Sequence, residues 1–162
     1  NFNNWGSFII ILFLFLMLVG DCAGSTTCGI KIFRLQILYQ SAKIQIFKLL
    51  NPHGVSVAKY NKMPVSESIT SSVMGYFFMF IISYILITLI LSFLGNDFLT
   101  SLSGAATSLA NVGPGLGNVI GPNKTFAELS DITKWVLIVG MLIGRLELLS
   151  VIIILTPSFW RN

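Results

Sequence analysis

In the run Asn111-Val112-Gly113-Pro114-Gly115-Leu116-Gly117 the groups able to do chemistry belong to the main chain. Gly113 permits backbone angles closed to other residues, and Pro114 forbids helical continuation. An unwound turn at Asn111, Val112 and Gly113 presents carbonyl oxygens that can replace the water shell of a dehydrated cation. The chemistry on offer is coordination, with no bond made or broken. Residues 97–110, rich in Ser, Thr, Ala and Gly, fit a short helix with Asn96 or Asp97 at its N-cap. Its C-terminus carries about half a negative charge from the backbone dipole, which favours a cation there. The same letters also fit an ordinary helix closed by glycine with a proline stop. A dinucleotide-binding reading of Gly113, Gly115 and Gly117 fails, since no βαβ unit surrounds them.

A second break covers residues 20–31, from Gly20-Asp21-Cys22 through Gly24-Ser25-Thr26-Thr27-Cys28-Gly29 to Ile30-Lys31. A phosphate-binding loop needs Lys directly after its second glycine. Here Ile30 intervenes and Ile32 stands where Ser or Thr belongs, so that reading is rejected. What remains is a polar plug between apolar stretches, ending in a cation and able to swing in and out of a permeation path; the plainer reading is a kink between helix halves. The third feature is Arg145, inside the apolar block Trp135–Leu155. An arginine at mid-bilayer costs about 2.5–3.5 kcal/mol on insertion scales, so it must face protein or water. Glu147, two residues on, points elsewhere on a helix and is a poor partner. Gly140 and Gly144 have the spacing that lets a neighbouring helix approach closely.

The elements that must hold these groups are set by an apolar composition. The chain has 162 residues, 54% hydrophobic and 10% charged, with mean hydropathy +0.84. A soluble domain averages about 25% charged residues, so the chain is expected in a membrane, as an all-α protein. Trp5–Val19 is apolar and uncharged but spans only about 22 Å, less than the roughly 30 Å hydrocarbon core. An apolar helical pattern resumes after Gly29, which reads as one membrane helix broken by a loop. Val73–Leu94 and Trp135–Leu155 are long enough to cross. Tyr76, Phe77, Phe78, Phe80 and Tyr84 call for lipid or partner helices around them, and Trp5, Trp135 and Trp160 sit at block ends, where indole prefers the interface.

Six of the ten basic residues, Lys31, Arg34, Lys43, Lys48, Lys59 and Lys62, fall between 31 and 62. The positive-inside rule therefore places 31–72 and the C-terminus in the cytoplasm, and 96–131 outside. That position explains the basic run without nucleic acid. Cys22 and Cys28 lack any CxxC pattern and read as small buried thiols, and His53 as a solvated loop residue. A signal-peptide reading of residues 5–19 lacks a preceding cation. The start at Asn1 suggests a removed leader or a piece of something longer. No nucleophile, base and orienting group occur together, so no enzyme is expected.

Gly24-Ser25-Thr26 leading to Gly29-Ile30-Lys31, then Asn111 to Gly117, then Gly144-Arg145-Leu146-Glu147 followed by Thr156-Pro157-Ser158-Phe159-Trp160-Arg161, resemble the C-terminal part of the TrkH family. This family comprises membrane subunits of bacterial Trk potassium uptake systems, within the Trk/Ktr/HKT superfamily. The resemblance covers nearly the whole chain, in order. It implies four repeats of helix, pore loop and helix in a complete polypeptide. This chain then holds the second helix of the third repeat (1–50, with an intramembrane gating loop at 20–31), a cytoplasmic linker (51–72) and the fourth repeat (73–162). Within that repeat lie a pore helix at 97–110, a filter at 111–115 and a last helix at 132–157. The resemblance makes Asn111, Val112 and Gly113 one quarter of a K⁺ filter. It assigns gating to Gly24, Ser25, Thr26, Gly29 and Lys31, with Arg145 close by. It implies K⁺ as the transported ion, a homodimer, a cytosolic nucleotide-binding regulator of TrkA type and a bacterial inner membrane. Asp21, Thr27 and Cys28 stand where relatives often carry small residues or Gly. One filter quarter does not enclose an ion, so the chain alone is not expected to conduct. An accessory membrane subunit, binding a partner through Gly140/Gly144 and the basic segment, is the alternative.

Overall fold

The computed structural model describes residues 6–20, 28–51, 59–60, 63–64 and 66–146. Five α-helices account for most of them: α1 (Ser7–Leu18), α2 (Ile32–Leu50), α3 (Glu67–Phe93), α4 (Phe98–Ala110) and α5 (Asp131–Arg145). A 3-10 turn at Phe126–Glu128 precedes α5. The described part is all-α apart from one small antiparallel pair, β1 (Lys59–Tyr60) with β2 (Met63–Pro64). That pair lies in the segment expected to be a plain linker, where no alternating apolar pattern announces a strand.

The helix richest in small side chains is the most deeply buried. α4 packs against α1, α3 and α5, and ten of its thirteen residues are buried, from Thr100 to Ala110. Ala, Gly and Ser let neighbouring backbones come close, the interface chemistry of membrane helices. The large apolar side chains point the other way. Phe8, Phe15, Phe78, Leu89, Phe93 and Trp135 are exposed. This polarity is the reverse of a water-soluble domain and suits lipid or further membrane helices. The buried hydroxyls are satisfied inside: Ser108 donates to the Ala105 carbonyl at 2.9 Å, and Thr133 meets both Asn96 and Ser130. Tyr84 donates to the Leu102 carbonyl at 3.2 Å, tying α3 to α4.

Among the described residues, one helix, Ser68–Phe93, is long and apolar enough to cross a membrane. Its polar first two turns, Glu67 to Ser72, fall in the segment expected to be linker, because the apolar run starts at Val73. The N-cap explains the difference: Ser66 accepts from the Ile69 N–H at 3.4 Å and starts the helix early. α4 begins after Asp97, as expected. However, neither expected side chain caps it: Asp97 makes no side-chain cap bond, and Asn96 turns to the Leu91 carbonyl at 2.8 Å and Thr133 Oγ1 at 3.2 Å.

The third apolar block forms α5 as far as Arg145, with Leu146 at the C-cap. Arg145 therefore occupies the last turn of α5, where a cation complements the helix dipole. The rest of the expected helix, with Glu147 and Trp160, lies outside the described residues. Trp5, Cys22 and His53 lie outside them too. Cys28 is a buried free thiol, as expected.

Candidate ion-coordinating turn and the loop beside it

α4 ends at Ala110, and Asn111 takes the left-handed C-cap conformation, φ +52° and ψ +42°. Asparagine is one of the few side chains that tolerate it. Its amide Nδ2 donates to the Met141 carbonyl of α5 at 3.1 Å. The three N–H groups of the turn point back into α4. Asn111 N–H donates to the Ser108 carbonyl at 3.3 Å, Val112 N–H to the Thr107 carbonyl at 3.2 Å, and Gly113 N–H to Thr107 Oγ1 at 3.0 Å. No described residue donates to the carbonyl oxygens of Asn111, Val112 or Gly113. The turn is exposed from Asn111 to Pro114. Exposed carbonyls to which no described residue donates, with their amides tied down, form an acceptor array of the kind that can coordinate a cation.

The far end of the turn is anchored as firmly. Leu116 and Ile120 are each 1% exposed. Leu116 N–H donates to Ser103 Oγ at 3.0 Å, and Gly115 N–H to the Ile120 carbonyl at 2.9 Å. Gly113 has φ +107°, a conformation that L side chains rarely adopt, with nothing within 4 Å of where a Cβ would stand. Backbone angle, and not space, makes glycine necessary there. The segment beyond it carries two ion pairs, Lys124–Glu128 at 2.8 Å and Lys134–Asp131 at 3.1 Å.

Gly140 and Gly144 serve this turn from behind. A Cβ on Gly140 would come 2.8 Å from Ser108 Oγ, and one on Gly144 would overlap the Leu109 carbonyl oxygen. The close approach expected of this spacing is therefore made to α4 inside the chain. It does not offer a face to a separate subunit, as the accessory-subunit alternative required. Arg145 follows Gly144 directly and so begins beside the Leu109–Asn111 segment.

The loop at 20–31 closes on itself at its neck. Val19 and Ile30 form an isolated parallel bridge: Gly20 N–H donates to the Ile30 carbonyl at 2.9 Å and Ile30 N–H to the Leu18 carbonyl at 3.0 Å. The parallel sense means that the chain resumes in the direction it left, into α2 with Lys31 at its N-cap. Gly29, φ +91°, faces Ala110 Cβ at 3.5 Å from a virtual Cβ, so the neck rests against the end of α4. A cavity of about 380 Å³ is lined by Val19 and Cys28 of the neck, Met17 of α1, and Ala110, Asn111 and Val112. The structure thus brings Gly29 against the end of α4, next to Asn111 and Val112, with Gly113 on the same turn and Lys31 two residues along the chain from Gly29. Gly24, Ser25 and Thr26 lie outside the described residues.

Sequence reasoning missed Thr107 and Ser103, which hold the turn, and Tyr76, whose hydroxyl donates to the Gly29 carbonyl at 3.3 Å. The hydroxyls at 103 and 107, spaced by four within an otherwise small-residue helix, were the available signal for the first two.

The family model for TrkH, described as a cation transport protein, matches residues 1–161. The chain is 48% identical over its full length to the Trk system potassium uptake protein TrkI of Halomonas elongata, and covers 33% of that protein. It is 37% identical to the Trk system potassium uptake protein TrkH of Vibrio parahaemolyticus over 99% of its own length and 33% of that protein. The crystal structure of the potassium transporter TrkH from Vibrio parahaemolyticus superposes with a TM-score of 0.87 at 35% identity, covering 99% of this chain and 34% of that one. The chain thus spans about a third of the length of these relatives. With an all-α fold, a candidate membrane span and a family match over nearly every residue, this chain is a membrane protein belonging to the TrkH family of cation transport proteins.

Proposed function

We propose that this chain is the C-terminal part of a potassium uptake protein and contributes one filter turn and one intramembrane gate to its permeation path. The observation that carries the reading is the acceptor array: carbonyls of Asn111, Val112 and Gly113 to which no described residue donates, on a turn whose N–H groups are held by α4. Asn111, Val112 and Gly113 coordinate K⁺, and the C-terminal dipole of α4 adds negative potential beneath it. α4 acts as pore helix, α3 and α5 as its flanking helices, and residues 20–31 as the gate, with Gly24, Ser25, Thr26, Gly29 and Lys31 in it and Arg145 beside it. The relatives' names as potassium uptake proteins support the choice of ion.

One turn does not surround an ion, so the activity belongs to the full-length transporter with the remaining repeats, in the bacterial inner membrane. The basic segment and the C-terminus face the cytoplasm, where a nucleotide-binding regulator of TrkA type docks on a homodimer. The test is rubidium uptake by the full-length transporter in a bacterium lacking its own potassium uptake. Uptake that persists against excess sodium is expected; none, or uptake indifferent to the cation, would refute the reading.

Thr107→Val keeps the side-chain shape and removes the acceptor for Gly113 N–H. A hydrogen bond of about 1 kcal/mol net is lost, and preference for rubidium over sodium is expected to fall about fivefold. Thr107→Ser, which keeps the oxygen, should stay near the parent. Competition uptake on both variants gives the comparison.

A further inference from the structure

We propose that Tyr76 and Arg34 are positioning residues that hold the neck of the 20–31 loop in the place seen here, so that one aromatic ring couples the loop to α2 and α3. The proposal rests on reading that loop as a gate.

Tyr76 lies on α3, 5% exposed. Its hydroxyl donates to the Gly29 carbonyl, 47 residues away in sequence, at 3.3 Å. The guanidinium carbon of Arg34, in the first turn of α2, stands 3.6 Å from the centroid of the same ring. On α3 itself Phe80 stacks on the ring at 6.2 Å between centroids. The last residue of the loop before the bridge and the start of the helix that follows are therefore tied to one side chain.

The geometry suits a reversible hold. The O–H···O bond, at 3.3 Å longer than the usual 2.7–2.8 Å, is worth about 1 kcal/mol net, small enough to break and re-form. The cation over the ring face is attracted to it, more strongly where water is scarce, and keeps the ring in the plane that aims its hydroxyl at Gly29. Among the described residues, the Tyr76 hydroxyl makes the side-chain hydrogen bond to the neck, while the backbone bridge between Val19 and Ile30 closes the neck on itself. The bridge sets the shape of the neck, and Tyr76 sets its position against α3. A shift of α2 along α3 moves Arg34, turns the ring and releases Gly29.

The test uses the full-length transporter in membranes, with cysteines other than Cys28 replaced. Cys28 is buried, beside Gly29, and its rate of modification by a thiol reagent reports the position of the neck independently of transport. Tyr76→Phe and Arg34→Gln are each expected to speed that modification about fivefold, the factor a net hydrogen bond carries. They should raise the maximal rate of rubidium uptake while KM and sodium competition stay unchanged. The double variant should go no further than either alone, and Arg34→Lys should restore the slow rate. Tyr76→Phe removes a single oxygen, so it carries the test by itself if Arg34→Gln fails to insert. Unchanged Cys28 modification in Tyr76→Phe would overturn the proposal. Faster modification with unchanged rubidium flux would uphold the hold on the neck and overturn the gate reading instead.

Discussion

Gly113→Ser in the full-length transporter is expected to lower the preference for rubidium over sodium by about tenfold or more, with the protein still inserted at normal abundance. Backbone angle alone produces the effect. The site has open space around a Cβ, so no clash is introduced. However, φ at +107° is a region that L side chains rarely adopt, and holding one there costs about 1–3 kcal/mol. The turn will relieve that strain by rotating about Gly113, and the rotation moves the carbonyls of Val112 and Gly113. About 1.4 kcal/mol corresponds to tenfold in an equilibrium, so strain of this size competes with the difference between two monovalent cations. Gly113→Ala should behave the same way, because the cause is the backbone and not the serine hydroxyl. Competition uptake of rubidium against sodium decides it, and a preference unchanged in both variants would show that the turn does not select.

The second large effect is expected at Gly144, on the far side of the same turn. A methyl group there overlaps the Leu109 carbonyl oxygen, a backbone atom of the last turn of α4 that no rotamer change can clear. Overpacking of this kind costs about 1–3 kcal/mol, and here it acts on the segment that carries Asn111, whose amide is bonded to Met141 of α5. Gly144→Ala is expected to reduce rubidium flux at least tenfold and to lower the thermal stability of the purified protein. Gly75 supplies the control. It lies in α3 with nothing within 4 Å of a virtual Cβ, and alanine in a helix interior is favoured over glycine by up to about 1 kcal/mol. Gly75→Ala should leave flux and stability at or above the parent. Equal behaviour of the two alanine variants would mean that contact between α5 and the end of α4 has no bearing on the turn.

These two glycines also mark how far the sequence reaches. Local signals were legible. The break after Ala110 follows from Gly113 and Pro114, and the interruption between α1 and α2 from the polar glycine-rich stretch that starts at Gly20. The spacing of Gly140 and Gly144 announced a close helix contact. What it packs against was not legible, because Leu109 and Ser108 are more than thirty residues away and nothing in their letters points to α5. The same holds for Tyr76 and Gly29: a tyrosine in an aromatic-rich helix reads as packing until the fold brings its hydroxyl to a loop carbonyl. The start of α3 was misplaced for a different reason. Hydropathy marks where a helix meets apolar surroundings, whereas Ser66 marks where its hydrogen bonding begins, and the two differ by two turns here. The β1–β2 pair carried no alternating pattern at all.

The architecture follows one logic. Small side chains and internally satisfied hydroxyls let α4 sit among α1, α3 and α5. Thr107, Ser103 and Met141 then anchor the turn at both ends and from behind. The turn's N–H groups are held by Ser108, Thr107, Ser103 and Ile120, and no described residue donates to the carbonyl oxygens of residues 111–113, the array we propose for the ion.

Anomalous diffraction from the full-length transporter soaked in rubidium or thallium addresses that claim most directly. A peak is expected within coordination distance of the Asn111, Val112 and Gly113 carbonyl oxygens. A permeant ion located elsewhere on the path, with this turn facing bulk water and bare of density, would contradict it.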